Sequence, residues 1–79
     1  MFYCYIIQSV EEGRYYIGSS DSLKRVFEHN AGQVKSTKPH RPWKLVYYET
    51  FQTRSQAFKR GKQIKAWKKR ESIERLFKN

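Results

Sequence analysis

Apolar and polar positions change period several times along this chain, and each change marks an element. Tyr3-Cys4-Tyr5-Ile6-Ile7 is a dense run of aromatic and β-branched residues; after Val10-Glu11-Glu12-Gly13 comes a second, Arg14-Tyr15-Tyr16-Ile17-Gly18. Two such runs about a glycine-containing turn predict a β-hairpin. Ser19, Ser20 and Asp21 are favoured N-cap types, and Leu23, Val26 and Phe27 then recur at helical spacing up to Asn30-Ala31-Gly32. That pattern predicts a short amphipathic helix capped at both ends. Gln33 to Pro42 contains a Lys-Ser-Thr-Lys core and two prolines, each biasing its predecessor towards extended geometry, so a basic loop is expected there. Trp43 to Thr50, WKLVYYET, reads as a third strand.

Beyond it, Thr53 or Ser55 can cap a longer helix. Ala57, Phe58, Gly61, Ile64 and Trp67 mark one side of it, and Lys59, Lys62, Lys65, Lys68 and Lys69 lie mostly on the other. Gly61 is out of place, because glycine inside a helix costs about 1 kcal/mol relative to alanine. Ser72 to Phe77, with apolar Ile73, Leu76 and Phe77, continues that helix or forms a short terminal one. The order is β-β-α-β-α-α: an α+β domain with a small three-stranded mixed or antiparallel sheet flanked by helices.

At 79 residues and 38% hydrophobic content the chain supports one small domain, residues 1–79, and no multi-domain enzyme. The lone Cys4 excludes an internal disulfide, and no Cys/His cluster has zinc-ligand spacing. The longest apolar-leaning run, Met1 to Ile7, is far short of the roughly 20 residues that span a bilayer. A reduced, cytoplasmic protein without a membrane partner is expected.

Charge changes the picture more. Seventeen Lys and Arg against seven acids give a formal net charge of +10, and no acid occurs between Glu28 and Glu49 or between Glu49 and Glu71. A segregated basic surface suits a polyanion, nucleic acid first. Lys35, Lys38, Arg41 and the face carrying Lys59, Lys62, Lys65 and Lys69 are the candidate phosphate contacts. Trp67 fits the core; Trp43 could pack or stack on a base.

Cys4-Tyr5-Ile6 on the first predicted strand and Tyr16-Ile17-Gly18 on the second resemble the motif pair that names the GIY-YIG nuclease family. Arg25, followed four residues later by His29-Asn30, is similar to that family's catalytic helix. Arg41 to Glu49 and Ala57-Phe58-Lys59-Arg60 resemble its small stand-alone bacterial members. Tyr-Ile-Gly alone is common by chance, but five motifs in order cover essentially the whole chain.

The resemblance implies phosphodiester hydrolysis on DNA with one divalent metal, Mg²⁺ or Mn²⁺, of the kind used in repair or recombination. It assigns the catalytic roles to Tyr5, Tyr16, Arg25 and His29. One of the phenols would activate or position water, which at an ordinary pKa near 10 requires a cation to lower it. Arg25 would hold the scissile phosphate. His29, one turn further on, would position phosphate or water or carry a proton. Asn30 is expected to be structural. Each residue also has an ordinary use: Tyr5 and Tyr16 as cross-strand aromatics, Arg25 as a solvated cation, His29 at a helix C-terminus.

Two departures from the family bear on activity. Its metal-binding Glu falls at Gly61 here, so the usual protein ligand is absent, and a hard cation needs oxygen donors. The stretch from Gly18 to Arg25 is one residue shorter than the family's. No metal ligand is therefore assigned; among Glu28, Glu49 and Glu71, Glu49 is the weak candidate for a substitute. A weakened endonuclease is the expectation. The alternatives are a non-catalytic nucleic-acid-binding module on the same fold, or an accessory subunit with a protein partner.

Overall fold

The computed structural model describes residues 1–78. Three strands, β1 (Phe2–Ser9), β2 (Tyr15–Ser20) and β3 (Trp43–Phe51), and three helices, α1 (Arg25–Asn30), α2 (Arg54–Trp67) and α3 (Arg70–Glu74), follow in the expected order, with a 3-10 turn at Lys38–His40 before β3. The sheet order is β2-β1-β3 and both pairings are antiparallel.

As the centre strand, β1 is apolar at consecutive positions, and Cys4, Tyr5, Ile6 and Ile7 are all buried. A strand covered on both faces needs no alternation. Cys4 and Ile6 join Ile17, Ile64 and Ile73 on one side, backed by Tyr47, Trp67, Leu76 and Phe77. Tyr5 and Ile7 pack with Trp43 on the other, against Tyr16, Leu23 and Val26. The hairpin register sets Tyr5 opposite Gly18 and Ile7 opposite Tyr16. Gly13 closes the turn at φ 75°, a backbone region glycine enters without strain.

Helix α2 begins with a capping box: the Thr53 side chain accepts from Gln56 N at 3.2 Å, and Gln56 Oε1 accepts from Thr53 N at 3.3 Å. Ala57, Gly61 and Ile64 are its buried residues, and it stops at Lys68 in the left-handed region. The terminal apolar residues form the separate helix α3, tied to β2 by the Tyr15 hydroxyl, which donates to Glu74 at 2.6 Å.

Three local expectations are corrected. Ser19 and Ser20 are the end of β2, and α1 starts only after Lys24, with no side-chain cap. Phe27 does not face the core; it is 76% exposed, and the residue α1 buries is His29, one turn from Arg25 and three residues from Val26. Phe58 likewise lies outside the buried side of α2, 56% exposed. Among the described residues no helix is long and apolar enough to cross a membrane.

Candidate functional site

Gly18 creates the room on which the site depends. A Cβ there would lie 2.5 Å from Tyr5 Oη and 2.6 Å from Tyr5 Cζ, so the phenol occupies the space that any other residue on β2 would fill. Tyr5, 1% exposed, reaches His29 across the sheet's α1 side: Oη and Nε2 are 2.9 Å apart. His29 Nδ1 lies 2.7 Å from Thr37 Oγ1, and Thr37 Oγ1 donates to Val34 O at 3.2 Å.

That last bond fixes the direction of the chain. With its proton spent on a carbonyl, Thr37 accepts from His29 Nδ1–H; the Nε2 lone pair then accepts from the Tyr5 hydroxyl. Trp43 and Asn30 hold the surrounding loop. Trp43 is buried and its Nε1 donates to Thr37 O at 2.9 Å, while the Asn30 amide donates to Trp43 O at 2.9 Å and accepts from Trp43 N at 2.6 Å. The sequence left Trp43 undecided; here it packs. The ring of Tyr16 meets His29 edge-on at a centroid distance of 5.0 Å.

Burial decides the charge states. It pushes the Tyr5 phenol up to about 12, the Tyr16 phenol adds to the shift, and the Arg25 guanidinium opposes it. Burial also holds His29 below the ordinary histidine value, with Arg25 acting in the same direction. The resting pair is therefore a neutral phenol donating to a neutral imidazole. Moving the Tyr5 proton to Nε2 would create two buried charges, which the surroundings disfavour.

Arg25 is the cation at the mouth of this pair. Its side chain is 44% exposed and pairs with Glu28 Oε1 at 2.6 Å. It lines a hollow of 500 Å³ with Ser20, Asp21, Ser22, Lys24, Glu28 and Arg54, three cations against two carboxylates. An anion entering there competes with Glu28 for the guanidinium fork and also meets the Asp21 carboxylate.

Gly61 lies on α2, which covers the other face of the sheet, close to the edge of β2 where Tyr16 sits. A Cβ on it would lie 3.8 Å from both Cys4 Sγ and Ile17 Cγ2, ordinary contact distances, so packing does not require glycine there. The same position lines a hollow of 200 Å³ that also reaches Tyr16 and Gly18 around the edge of β2. Glu49, the substitute carboxylate considered from the sequence, stands on the far edge strand. Arg60 grips it through Nε and Nη2 at 3.0 Å each, and the Tyr47 hydroxyl donates to it. Burial acts to raise Glu49, but those bonds hold its carboxyl below the usual range. Glu28 is occupied by Arg25, and among the described residues no group of three His, Cys, Asp or Glu is placed to share a cation. Two phenols, an imidazole and a guanidinium do not make a donor set for Mg²⁺ or Mn²⁺.

The candidate cations fall into two groups. Lys35, Lys38 and Arg41 lie on the loop before β3, where Arg41 donates to Lys38 O and Asn30 O. Lys59, Lys62, Lys65 and Lys69 are exposed along and just beyond α2, with Lys62 and Lys65 at the hollow that reaches Gly61. Trp67 is half-buried against the α2-side core, with the Arg60 guanidinium 5.5 Å from its ring. Thr37 is not among the sequence candidates, and Glu28 enters there only as a substitute metal ligand, not as the partner of Arg25. For Glu28 the signal exists, three residues after Arg25; for Thr37 there is none, since a loop folded against α1 brings it in.

Residues 1–74 match the family model of the GIY-YIG catalytic domain. A UPF0213 protein of Staphylococcus saprophyticus is 41% identical over 73 residues, covering 90% of this chain and 88% of its own. One of Haloquadratum walsbyi is 41% identical over 66 residues, covering 82% and 74%. The solution NMR structure of a UPF0213 protein from Bacillus halodurans superposes with a TM-score of 0.59 at 26% identity, covering 96% of this chain and 82% of that one.

Proposed function

Because this chain belongs to the GIY-YIG family, we propose that it works as a nucleic-acid-binding module on that fold, with DNA as its partner and with hydrolysis weak or lost. One observation carries this reading. Tyr5, Tyr16, Arg25 and His29 form one cluster, yet position 61, where the family's carboxylate belongs, is a glycine that packing does not demand. A site kept for anions but stripped of its hard oxygen donor can grip a phosphate without polarising it. The net charge of +10 and the exposed lysines of α2 support the same partner.

The reading as a metal-dependent endonuclease rests on the assembled cluster and on the family. It needs a carboxylate to bind Mg²⁺ or Mn²⁺, and Glu49, held by Arg60 on the far edge strand opposite Cys4, is not placed to supply one to this cluster. An accessory role, with a protein partner completing the site, fits the same missing oxygen. Pull-downs with and without nuclease treatment separate a protein partner from tethering by nucleic acid.

Binding of labelled duplex and single-stranded DNA at 50 and 200 mM salt tests the proposal. If about four cations contact phosphate, affinity falls roughly a hundredfold across that range, with little dependence on sequence. Arg25→Ala weakens binding of every sequence alike. Affinity that stays flat with salt would remove the proposal.

A further inference from the structure

We infer that the edge of β2 carries a track for a single strand of DNA, with Phe58 as the surface on which one unpaired base stacks. The inference rests on DNA being the partner proposed above and adds which form of it the protein prefers.

Three hollows meet along this edge. The one beside Arg25 shares Ser19 and Arg54 with a second under Phe58, and the second shares Ser19 and Phe58 with a third between Tyr16, Lys62 and Lys65. Common walls make them one groove. Arg54, Phe58, Lys62 and Lys65 stand at i, i+4, i+8 and i+11, which places them on one stripe of α2. The stripe alternates what a nucleic-acid strand offers: cation for phosphate, ring for base, then two more cations.

Phe58 is the residue in this stripe that folding does not explain. It is 56% exposed, while the helix buries Ala57, Gly61 and Ile64 instead. Its ring is open enough for the Lys62 ammonium to stand 5.7 Å from the centroid. A nucleobase can take that place, and Lys62 then moves to the neighbouring phosphate. Base pairs in a duplex are already stacked and present no free face, so the ring selects an unpaired base. Gly61 has a use here too, since its missing side chain leaves the floor of the groove open.

The test compares labelled dT12, a blunt 12-base-pair duplex and rU12 on the natural protein, Phe58→Ala and Phe58→Trp, with melting curves to show that all three fold. Phe58→Ala is expected to weaken dT12 about tenfold and to leave the duplex nearly unchanged, while Phe58→Trp restores dT12 binding. A dT12 probe carrying 5-iodouracil should crosslink to Phe58. Undiminished dT12 binding by Phe58→Ala, or equal losses for dT12 and duplex, would overturn the stacking role. Equal or tighter binding of rU12 would overturn the choice of DNA. If neither DNA probe binds the natural protein, the proposed function itself fails; duplex binding with no response to Phe58 leaves that function standing and refutes only the track.

Discussion

The two faces of the sheet are built on different terms. On the α2 side Cys4, Ile6, Ile17, Ile64 and Ile73 form an apolar core under a helix with a complete N-terminal capping box. On the α1 side the cover is six residues long and uncapped, and its buried residue is His29, held by Tyr5 and Thr37. Apolar burial is tolerant of sequence and strongly stabilising; a buried polar chain is stabilising only while every member keeps its partner. The first face makes the fold, and the second stores the chemistry. The two glycines mark the contrast: Gly18 is forced by the Tyr5 ring, whereas Gly61 is forced by nothing it touches.

The contrast breaks most visibly at Ile64. Ile64→Ala opens a cavity in the α2-side core and should cost about 3 kcal/mol by urea denaturation, leaving the DNA affinity of the folded fraction unchanged. Gly18→Ala should cost about 2 kcal/mol, because its Cβ must displace the Tyr5 ring, and unlike Ile64→Ala it should also weaken DNA binding beside Arg25. A core mutant that weakens binding per folded molecule, or a Gly18→Ala protein as stable as the natural one, would dissolve the distinction.

Acid gives a third, smaller test. His29 has a folded value below that of an unfolded histidine, so between the two the unfolded chain binds more protons and stability rises with pH. The contribution is complete above the ordinary histidine range and is lost as pH falls from there through the lower folded value. Melts from pH 7 to 5 should show that slope, and His29→Gln should flatten it; an unchanged slope in the variant would place the titration elsewhere. Smallest and opposite in sign is Gly61→Ala, which should stabilise the protein by roughly 0.5–1 kcal/mol through helix propensity alone. A loss of stability there would mean that the glycine is needed for packing after all.

Much of this was legible from residue order. The strands and α2 follow from long patterned runs, and the Thr53 cap is signalled by Gln56 three residues on. Tyr5, Tyr16, Arg25 and His29 were found as candidates because short motifs set their spacing, and the structure brings them together. What escaped was set by tertiary contact. The α1 start moved to Arg25 because β2 uses Ser19 and Ser20 as strand, and Phe27 and Phe58 are apolar residues that no core reaches. Thr37 reaches His29 through a loop held by Trp43, an arrangement that periodicity does not encode.

The central claim is that this site grips phosphate but lacks the oxygen donor needed for hydrolysis, and cleavage of nicked, flapped and branched DNA with Mg²⁺ or Mn²⁺ tests it most directly. The natural protein should bind these substrates and leave them intact, Gly61→Glu should cut them, and Gly61→Glu/Arg25→Ala should be inactive. Metal-dependent cutting by the natural protein, lost in Arg25→Ala, would contradict the claim.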